Sequence, residues 1–244
     1  EVAEETGHAV LLGPQLGSTR YPVAAGMKIA HYWAARSTGG HFEPGDEVDE
    51  LCWLSPAKAS DLLSYGHDRT LLASLDGANS VTHTVLLVRH AEAGERQTWQ
   101  GDHDRRPLTP TGQRQAETLR ALLPLFGAAR VYSAPPVRCR QTVEELAADL
   151  GGGIVDEPLL SEEGYLAERS AGLRRLVEIA TEARSPAVVC SQGGVISDLV
   201  SKLTDSAGLK PPDESRSDTP SSTGSFWGLF FGGGSPAPPV LLTA

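Results

Sequence analysis

The feature that most constrains this chain is a short apolar run that ends in two nitrogen-rich side chains, Leu86-Leu87-Val88-Arg89-His90. A run of this kind is typical of a buried strand in a parallel sheet. In open α/β sheets, the groups that handle ligands lie just beyond the carboxyl ends of such strands. The run therefore predicts a buried strand, with Arg89 and His90 at the edge of the sheet where chemistry occurs.

Two more predicted strands also end in polar residues. Arg130–Ser133 precedes Arg138, and Ala187–Cys190 runs into a Ser-Gln-Gly-Gly segment. These strands alternate with helical patterns, which indicates a mostly parallel sheet covered by helices. Because the carboxyl ends of such strands meet at one edge, we expect Arg138 to approach His90. Guanidinium groups bind phosphate oxygens bidentately and a neutral imidazole could attack phosphorus, although a lone Arg-His pair with no chemistry is the alternative.

Two further segments carry a resemblance to a known family. Arg105–Gly112 reads R-R-P-L-T-P-T-G, and Ser133–Thr142 reads S-A-P-P-V-R-C-R-Q-T. Together with the strand that ends at His90, they resemble the histidine phosphatase superfamily, whose signature is R-H-G; the third position here is Ala91. The resemblance implies a three-layer α/β/α domain over residues 84–244.

The same resemblance implies a role for each of the matching residues. His90 would be the nucleophile, and Arg89 and Arg138 would hold the phosphate. Glu162 would be the general acid, with Glu163 as the alternative and a solvated pair of loop charges as a third interpretation.

Gln192 departs from the family pattern, which usually places a second histidine at this point in an S-H-G-G segment. A glutamine amide can donate a neutral hydrogen bond to a phosphate oxygen, but it supplies no positive charge. Loss of such a group commonly costs on the order of 10²–10³ in rate. We therefore expect Gln192 to help bind phosphate in a pocket that turns over weakly or has an accessory role.

The beginning of the chain presents a different pattern. Glu1, Glu4 and Glu5 are spaced so that a helix would carry all three carboxylates on one face, and Gly7 fits the position just beyond the helix end. Like charges at this spacing repel one another, so a divalent cation would turn the repulsion into binding. A solvated acidic turn is the alternative.

The segment Glu1–Gly7, E-V-A-E-E-T-G, resembles the second half of the Nudix box, whose first half this sequence lacks. The acidic segment 42–54 is similar to the loop and strand that follow in Nudix hydrolases of nucleoside and dinucleoside polyphosphates. The resemblance implies Mg²⁺ (or Mn²⁺), which the carboxylates bind and which activates the attacking water. Its implied metal ligands are Glu1, Glu4, Glu5, Glu47 and, as second choice to Glu47, Glu50, with the first three also catalytic.

Two residues of the predicted strands between these segments are candidates for substrate contacts. Lys28 would contact a phosphate, and Tyr32 would contact a base or a ribose. A lysine that faces water on an edge strand is the equally weighted alternative for Lys28.

The order of the two resemblances is similar to that of two-domain MutT-type proteins of mycobacteria and related actinobacteria. We expect the C-terminal part of a Nudix α/β/α domain at residues 1–78, a linker at 79–83 and the histidine phosphatase-like domain at 84–244. The missing Nudix segment would be a partner of this chain, carried elsewhere in the same gene product, and self-association is an open alternative.

The implied function is Mg²⁺-dependent hydrolysis of nucleoside polyphosphates, including 8-oxo-guanine nucleoside triphosphates and dinucleoside polyphosphates, in sanitation of the nucleotide pool. A phosphomonoesterase or phosphohistidine phosphatase that acts through His90 is the alternative, and a non-catalytic domain that assists the Nudix site is a third.

Composition narrows the choice of partners. A formal net charge of −10 over 244 residues disfavours nucleic-acid backbones and anionic membrane surfaces. It does not exclude a nucleotide substrate, because local arginines or Mg²⁺ can reverse the sign within a site. The three cysteines are scattered, and the sequence contains no apolar run of membrane-spanning length. We therefore expect a cytoplasmic protein with reduced thiols.

Overall fold

The computed structural model describes residues 2–24, 26–182, 185–207, 222–232 and 240–243. Its contacts divide the chain into two units, Glu1–Ser80 and Val81–Ala244. The division falls within the predicted linker, whose last three residues already belong to the first strand of the second unit. Each unit is described by itself.

The first unit contains a long antiparallel ribbon. Strand β1, His8–Val23, pairs with β2, Gly26–Gly40. A short helix precedes the ribbon and three short helices follow it: α1 (Val2–Thr6), α2 (Pro56–Leu62), α3 (Gly66–Ala73) and α4 (Leu75–Asn79). The Ser55 side chain accepts a hydrogen bond from the Lys58 backbone N–H and so caps α2.

Burial within this unit is slight. Pro14 is the one residue that is buried among the described residues up to Ser80. A two-stranded ribbon is marginally stable in water unless further strands or a helix cover an apolar face. The described residues of this unit therefore form a ribbon with short helices and not a layered sandwich, and a partial Nudix α/β/α domain stays a prediction.

The second unit is a six-stranded sheet in the order β5-β4-β6-β3-β7-β8. The first four strands in that order pair in parallel, and β7 and β8 join at the other edge in antiparallel pairing. The strands are β3 (Val81–Arg89), β4 (Arg130–Ser133), β5 (Ile154–Asp156), β6 (Ala187–Ser191), β7 (Ser225–Gly232) and β8 (Val240–Thr243).

Helices alternate with the strands along the chain in this unit. They are α5 (Pro110–Leu122), α6 (Val137–Asp149), α7 (Glu162–Ala167), α8 (Arg169–Glu182) and α9 (Gly193–Ser206). The Thr109 side chain caps α5 by accepting a hydrogen bond from the Gly112 N–H. None of the described helices combines the length and the apolar character that are needed to cross a bilayer.

The core follows from the two most apolar strands. Val85–Val88 of β3 and all of Ala187–Ser191 of β6 are buried, and these strands lie side by side at the centre of the sheet. Apolar residues of α8 and α9 pack against them, including Leu176, Ile179 and Leu199. The predicted buried strand at residues 85–88 and the predicted mostly parallel sheet are confirmed.

Gly112 is required by a close approach between α5 and the loop that follows β3. A Cβ atom at position 112 would lie far inside van der Waals contact of the Glu92 carbonyl oxygen. The same loop is held by the Thr109 hydroxyl, which donates to the Glu92 carboxylate over 2.7 Å. The loop after β3 therefore has little freedom to move away from α5.

Substitution Gly112→Ala should destabilise the protein by about 1–2 kcal/mol in total, because the added methyl overpacks this contact at a cost of ~2–3 kcal/mol. The clash outweighs the ~1 kcal/mol by which alanine exceeds glycine in helix propensity. Gly153→Ala is the matched control, since a Cβ at Gly153 meets no atom within 4 Å. Thermal unfolding measures both variants, and equal melting temperatures for the two would contradict the close approach.

Candidate phosphate pocket

The carboxyl ends of β3 and β6 and the start of α6 open into one cavity of about 530 Å³. Its lining is rich in charged and polar side chains. Those with nitrogen-bearing groups are Arg89, His90, Arg96, His103, Arg106, Arg138 and Gln192. Those with carboxylates are Asp104, Glu162 and Glu163. The strand ends that the sequence singles out do converge.

His90 is held by two backbone groups. Its N–H donates to the Ser191 carbonyl over 3.0 Å, and its ring atom Nδ1 lies 2.8 Å from the Ala91 carbonyl oxygen. Because a carbonyl only accepts, Nδ1 must carry the proton in this contact. The other ring atom, Nε2, is then unprotonated, and it accepts a hydrogen bond from the Nε–H of Arg138 over 3.3 Å.

Burial lowers the pKa of His90 from its ordinary value of 6.5 to about 4. The hydrogen bond to Ala91 opposes this shift, while the neighbouring guanidinium groups of Arg138, Arg89 and Arg106 add to it. His90 is therefore neutral at neutral pH, with Nε2 facing the cavity cations. A neutral imidazole with an unprotonated ring nitrogen is the form that can attack phosphorus.

Arg138 is almost fully buried, with 5% of its surface exposed. Its Nη1 donates to the backbone carbonyl of His103 over 2.9 Å. The hydroxyl of Thr142, one turn further along α6, accepts from the Ala91 N–H at 2.9 Å and donates to the Arg138 carbonyl at 2.7 Å. The loop that carries His90 and the helix that carries Arg138 are thus tied together.

Arg89 lies against the start of α9. A Cβ at Gly193 would come within 3.0 Å of the Cζ and Nε atoms of Arg89, so the absence of a side chain lets the guanidinium pack on the backbone. Burial lowers the pKa of Arg89, and the nearby Glu162 carboxylate opposes that shift. Arg89 remains charged at neutral pH, since an arginine has a very high ordinary pKa.

Gln192 positions the start of α7. Its side chain is 4% exposed, and its Oε1 accepts from the Glu162 N–H over 2.8 Å. With the oxygen end engaged in this way, the NH₂ group is the end of the amide that can donate to a ligand. The Ser161 hydroxyl caps the same turn by accepting from the Gly164 N–H.

Both candidate acids line the cavity. Glu162 and Glu163 occupy the first turn of α7, and the Oε1 atom of Glu162 lies 3.7 Å from the position that a Cβ would take at Gly194. The carboxylate of Glu162 also opposes the lowering of the pKa values of Arg89 and Arg106. The sequence alone leaves the choice between the two carboxylates open, and their place in the lining keeps both as candidates.

Four ionisable side chains of the lining have no role in the sequence-based prediction: Arg96, His103, Asp104 and Arg106. Arg106 belongs to the R-R-P-L-T segment that supports the family resemblance, so a signal for it was present in the motif. Arg96 and His103 stand in no motif. Their position depends on how the loop between β3 and α5 folds back over the cavity.

The carboxylates that were predicted to bind metal are not brought together. Among the described residues, no three Asp, Glu, His or Cys side chains lie close enough to hold a metal ion. Glu4 and Glu5 lie on α1, Glu47 and Glu50 lie in an irregular segment, and Glu1 falls outside the described residues. The described residues therefore do not fit a Mg²⁺ or Mn²⁺ site, and metal binding by these carboxylates stays a prediction.

The two predicted substrate contacts of the first unit, Lys28 and Tyr32, lie on β2. Lys28 pairs with Tyr21 across the ribbon, and its Nζ lies 6.0 Å from the centre of the Tyr21 ring. Tyr32 pairs with Gly17. Both positions agree with the predicted strands, and their roles in substrate binding stay predictions.

Comparison with known proteins finds a family match within the second unit. Residues 85–167 match the model of the histidine phosphatase superfamily, branch 1. The 8-oxo-(d)GTP phosphatase of Mycolicibacterium smegmatis is 47% identical over 211 residues, which make up 86% of this chain and 65% of that protein. The chain thus spans slightly less than two thirds of that relative, and its residues 85–167 are similar to the histidine phosphatase superfamily.

The solved structures that are similar to this chain have lower sequence identity. The protein histidine phosphatase SixA complexed with tungstate is 23% identical, with a TM-score of 0.49, over 66% of this chain and 96% of that chain. A mycobacterial glucosyl-3-phosphoglycerate phosphatase with bound VO₃ is 17% identical, with a TM-score of 0.46, over 60% of this chain and 90% of that chain.

The pKa of His90 can be measured directly by NMR. Its ring signals should titrate with a midpoint at about pH 4, identified by their loss in His90→Gln. Arg138→Gln should raise the midpoint, because it removes a cation beside the ring. Between pH 6.5 and 4 the unfolded chain binds the proton more readily, so this group should lower stability as pH falls. A midpoint near 6.5 in the folded protein would contradict the burial of the ring.

Proposed function

We propose that this chain is a phosphohydrolase in which His90 removes the terminal phosphate of a nucleotide. The observation that supports the proposal is the state of His90. Its ring is neutral, its unprotonated Nε2 accepts a hydrogen bond from Arg138 Nε over 3.3 Å, and four arginines line the cavity. The name of the 47% identical relative supports 8-oxo-guanine nucleotides as the substrate class.

The geometry supports a covalent route in two steps. Nε2 of His90 attacks the terminal phosphorus while the bond to the leaving oxygen breaks, and Arg89 and Arg138 neutralise the phosphoryl oxygens. The Nδ1–H bond to the Ala91 carbonyl stabilises the ring as it gains positive charge. Water then attacks the phosphohistidine, which releases orthophosphate and restores the neutral ring.

The remaining groups have supporting roles in this scheme. Glu162, with Glu163 as the alternative, takes a proton from the attacking water in the second step and would protonate the leaving oxygen where that oxygen is an alkoxide. Gln192 offers a neutral amide where a histidine cation would help most, so we expect turnover to be slow by on the order of 10²–10³ relative to a site with that charge.

A second candidate is Mg²⁺- or Mn²⁺-dependent hydrolysis of nucleoside and dinucleoside polyphosphates by the first unit, within nucleotide-pool sanitation. Glu4 and Glu5 do lie on a helix, and Gly7 follows it with a left-handed φ of 68°, as the acidic motif requires. In this case the His90 pocket would bind phosphate and assist, without catalysis of its own.

The two candidates predict opposite outcomes for a pair of variants. If His90 is the nucleophile, His90→Ala should lower phosphate release from 8-oxo-dGTP and 8-oxo-dGDP by on the order of 10³-fold or more, because the covalent route is lost. Glu4→Gln and EDTA should leave that release unchanged, since the histidine route uses no metal. Circular dichroism of each variant checks that it is folded.

The reverse pattern would overturn the proposal. Activity that EDTA and Glu4→Gln abolish, and that His90→Ala leaves intact, would assign the hydrolysis to the acidic motif. Nucleotide turnover that survives both substitutions would remove both candidates.

A further inference from the structure

The phosphate pocket contains more positive charge than one phosphate needs. Arg89 and Arg138 lie near His90, and they are the two guanidinium groups that the proposed function assigns to the transferred phosphoryl group. Arg96 and Arg106 line the same cavity and come from the loop between β3 and α5. Binding of one phosphoryl group by Arg89 and Arg138 does not involve this second pair of cations.

Arg106 is anchored in a way that leaves donors available. Its Nη1 donates to the Gly94 carbonyl, which fixes the guanidinium over the loop. Its Nε is buried and has no hydrogen-bond partner within the part of the chain that the structure describes. Buried donors are nearly always satisfied in folded proteins, so an orphaned one beside a cavity indicates a ligand that is absent.

The cations of the pocket also repel one another. Burial lowers the pKa of Arg106, and the nearby guanidinium groups of Arg138 and Arg96 lower it further, while Glu162 opposes the shift. Like charges gathered in a partly enclosed cavity favour a polyanionic ligand, because such a ligand relieves the repulsion among them.

We propose that Arg96 and Arg106 form a second phosphate subsite beside the His90 subsite, so that the pocket prefers the diphosphate end of a nucleotide to a phosphomonoester. This inference rests on the proposed function, since it names the substrate class of the same pocket. The nucleoside part would leave the cavity past the exposed Leu166 at its rim.

The second subsite also changes what the leaving group requires. Nε2 of His90 bonds to the terminal phosphorus, the anhydride P–O bond breaks, and the penultimate phosphate leaves with the electron pair. That charge develops between Arg96 and Arg106, which neutralise it. A phosphate leaves as an anion without a proton from Glu162, whereas the alkoxide of a monoester would need one.

Binding of orthophosphate and pyrophosphate, measured by calorimetry at one pH and ionic strength, tests the subsite without turnover. The unaltered protein should bind pyrophosphate at least about tenfold more tightly than orthophosphate. Arg106→Gln and Arg96→Gln should each lower pyrophosphate affinity by about tenfold and leave orthophosphate affinity within about twofold. Arg105→Gln is the matched control, because Arg105 is adjacent and exposed but does not line the cavity.

Equal losses for both anions in Arg106→Gln and Arg96→Gln would place these arginines in the His90 subsite and overturn the proposal. Unchanged pyrophosphate binding in both variants would overturn it too. Arg96 is exposed, so its variant remains informative if Arg106→Gln fails to fold.

Failure of the proposed function gives a different result. In that case the pyrophosphate preference and its loss in the two arginine variants persist, while His90→Ala leaves nucleotide turnover unaltered. The second subsite would then serve a pocket that binds a diphosphate without hydrolysing it.

Discussion

The parallel pairing of β3 with β6 is the constraint on which the pocket depends. Arg89 lies opposite Ser191, and the His90 N–H donates to the Ser191 carbonyl just beyond the paired residues. This register places Gly193 beneath the Arg89 guanidinium and brings Gln192 to the start of α7. A shift by one residue would turn every side chain of the strand to the other face and remove these contacts together.

Much of the second unit is predictable because its signals are local. Apolar residues that fill β3 and β6 are contiguous in the sequence, and the polar residues that follow them mark the edge at which a parallel sheet gathers its functional groups. The approach of Arg138 to His90 follows from that rule alone. The contacts of Gln192 and Arg106 do not follow from that rule. Gln192 accepts from the backbone N–H of Glu162 and Arg106 donates to the carbonyl of Gly94, and both partners lie in other segments of the chain.

The first unit shows the opposite case. A helix at Glu4 and Glu5 and a left-handed Gly7 follow from the local sequence, and both are present. Bringing these carboxylates to Glu47 and Glu50 requires a packed core that holds the segments together. Pro14 is the one described residue of this unit that is buried, so the interactions that would gather the predicted ligands are lacking among the described residues.

The other cations of the pocket explain why a neutral residue fits at position 192. A histidine cation at this position would join four arginines in one cavity. It would add to the repulsion that, together with the larger effect of burial, lowers the pKa of His90. The glutamine amide avoids that cost, and its oxygen orders the turn that carries Glu162. If Arg96 and Arg106 neutralise a leaving phosphate, the pocket supplies its positive charge at the leaving group, and the need for a cation at Gln192 is correspondingly smaller.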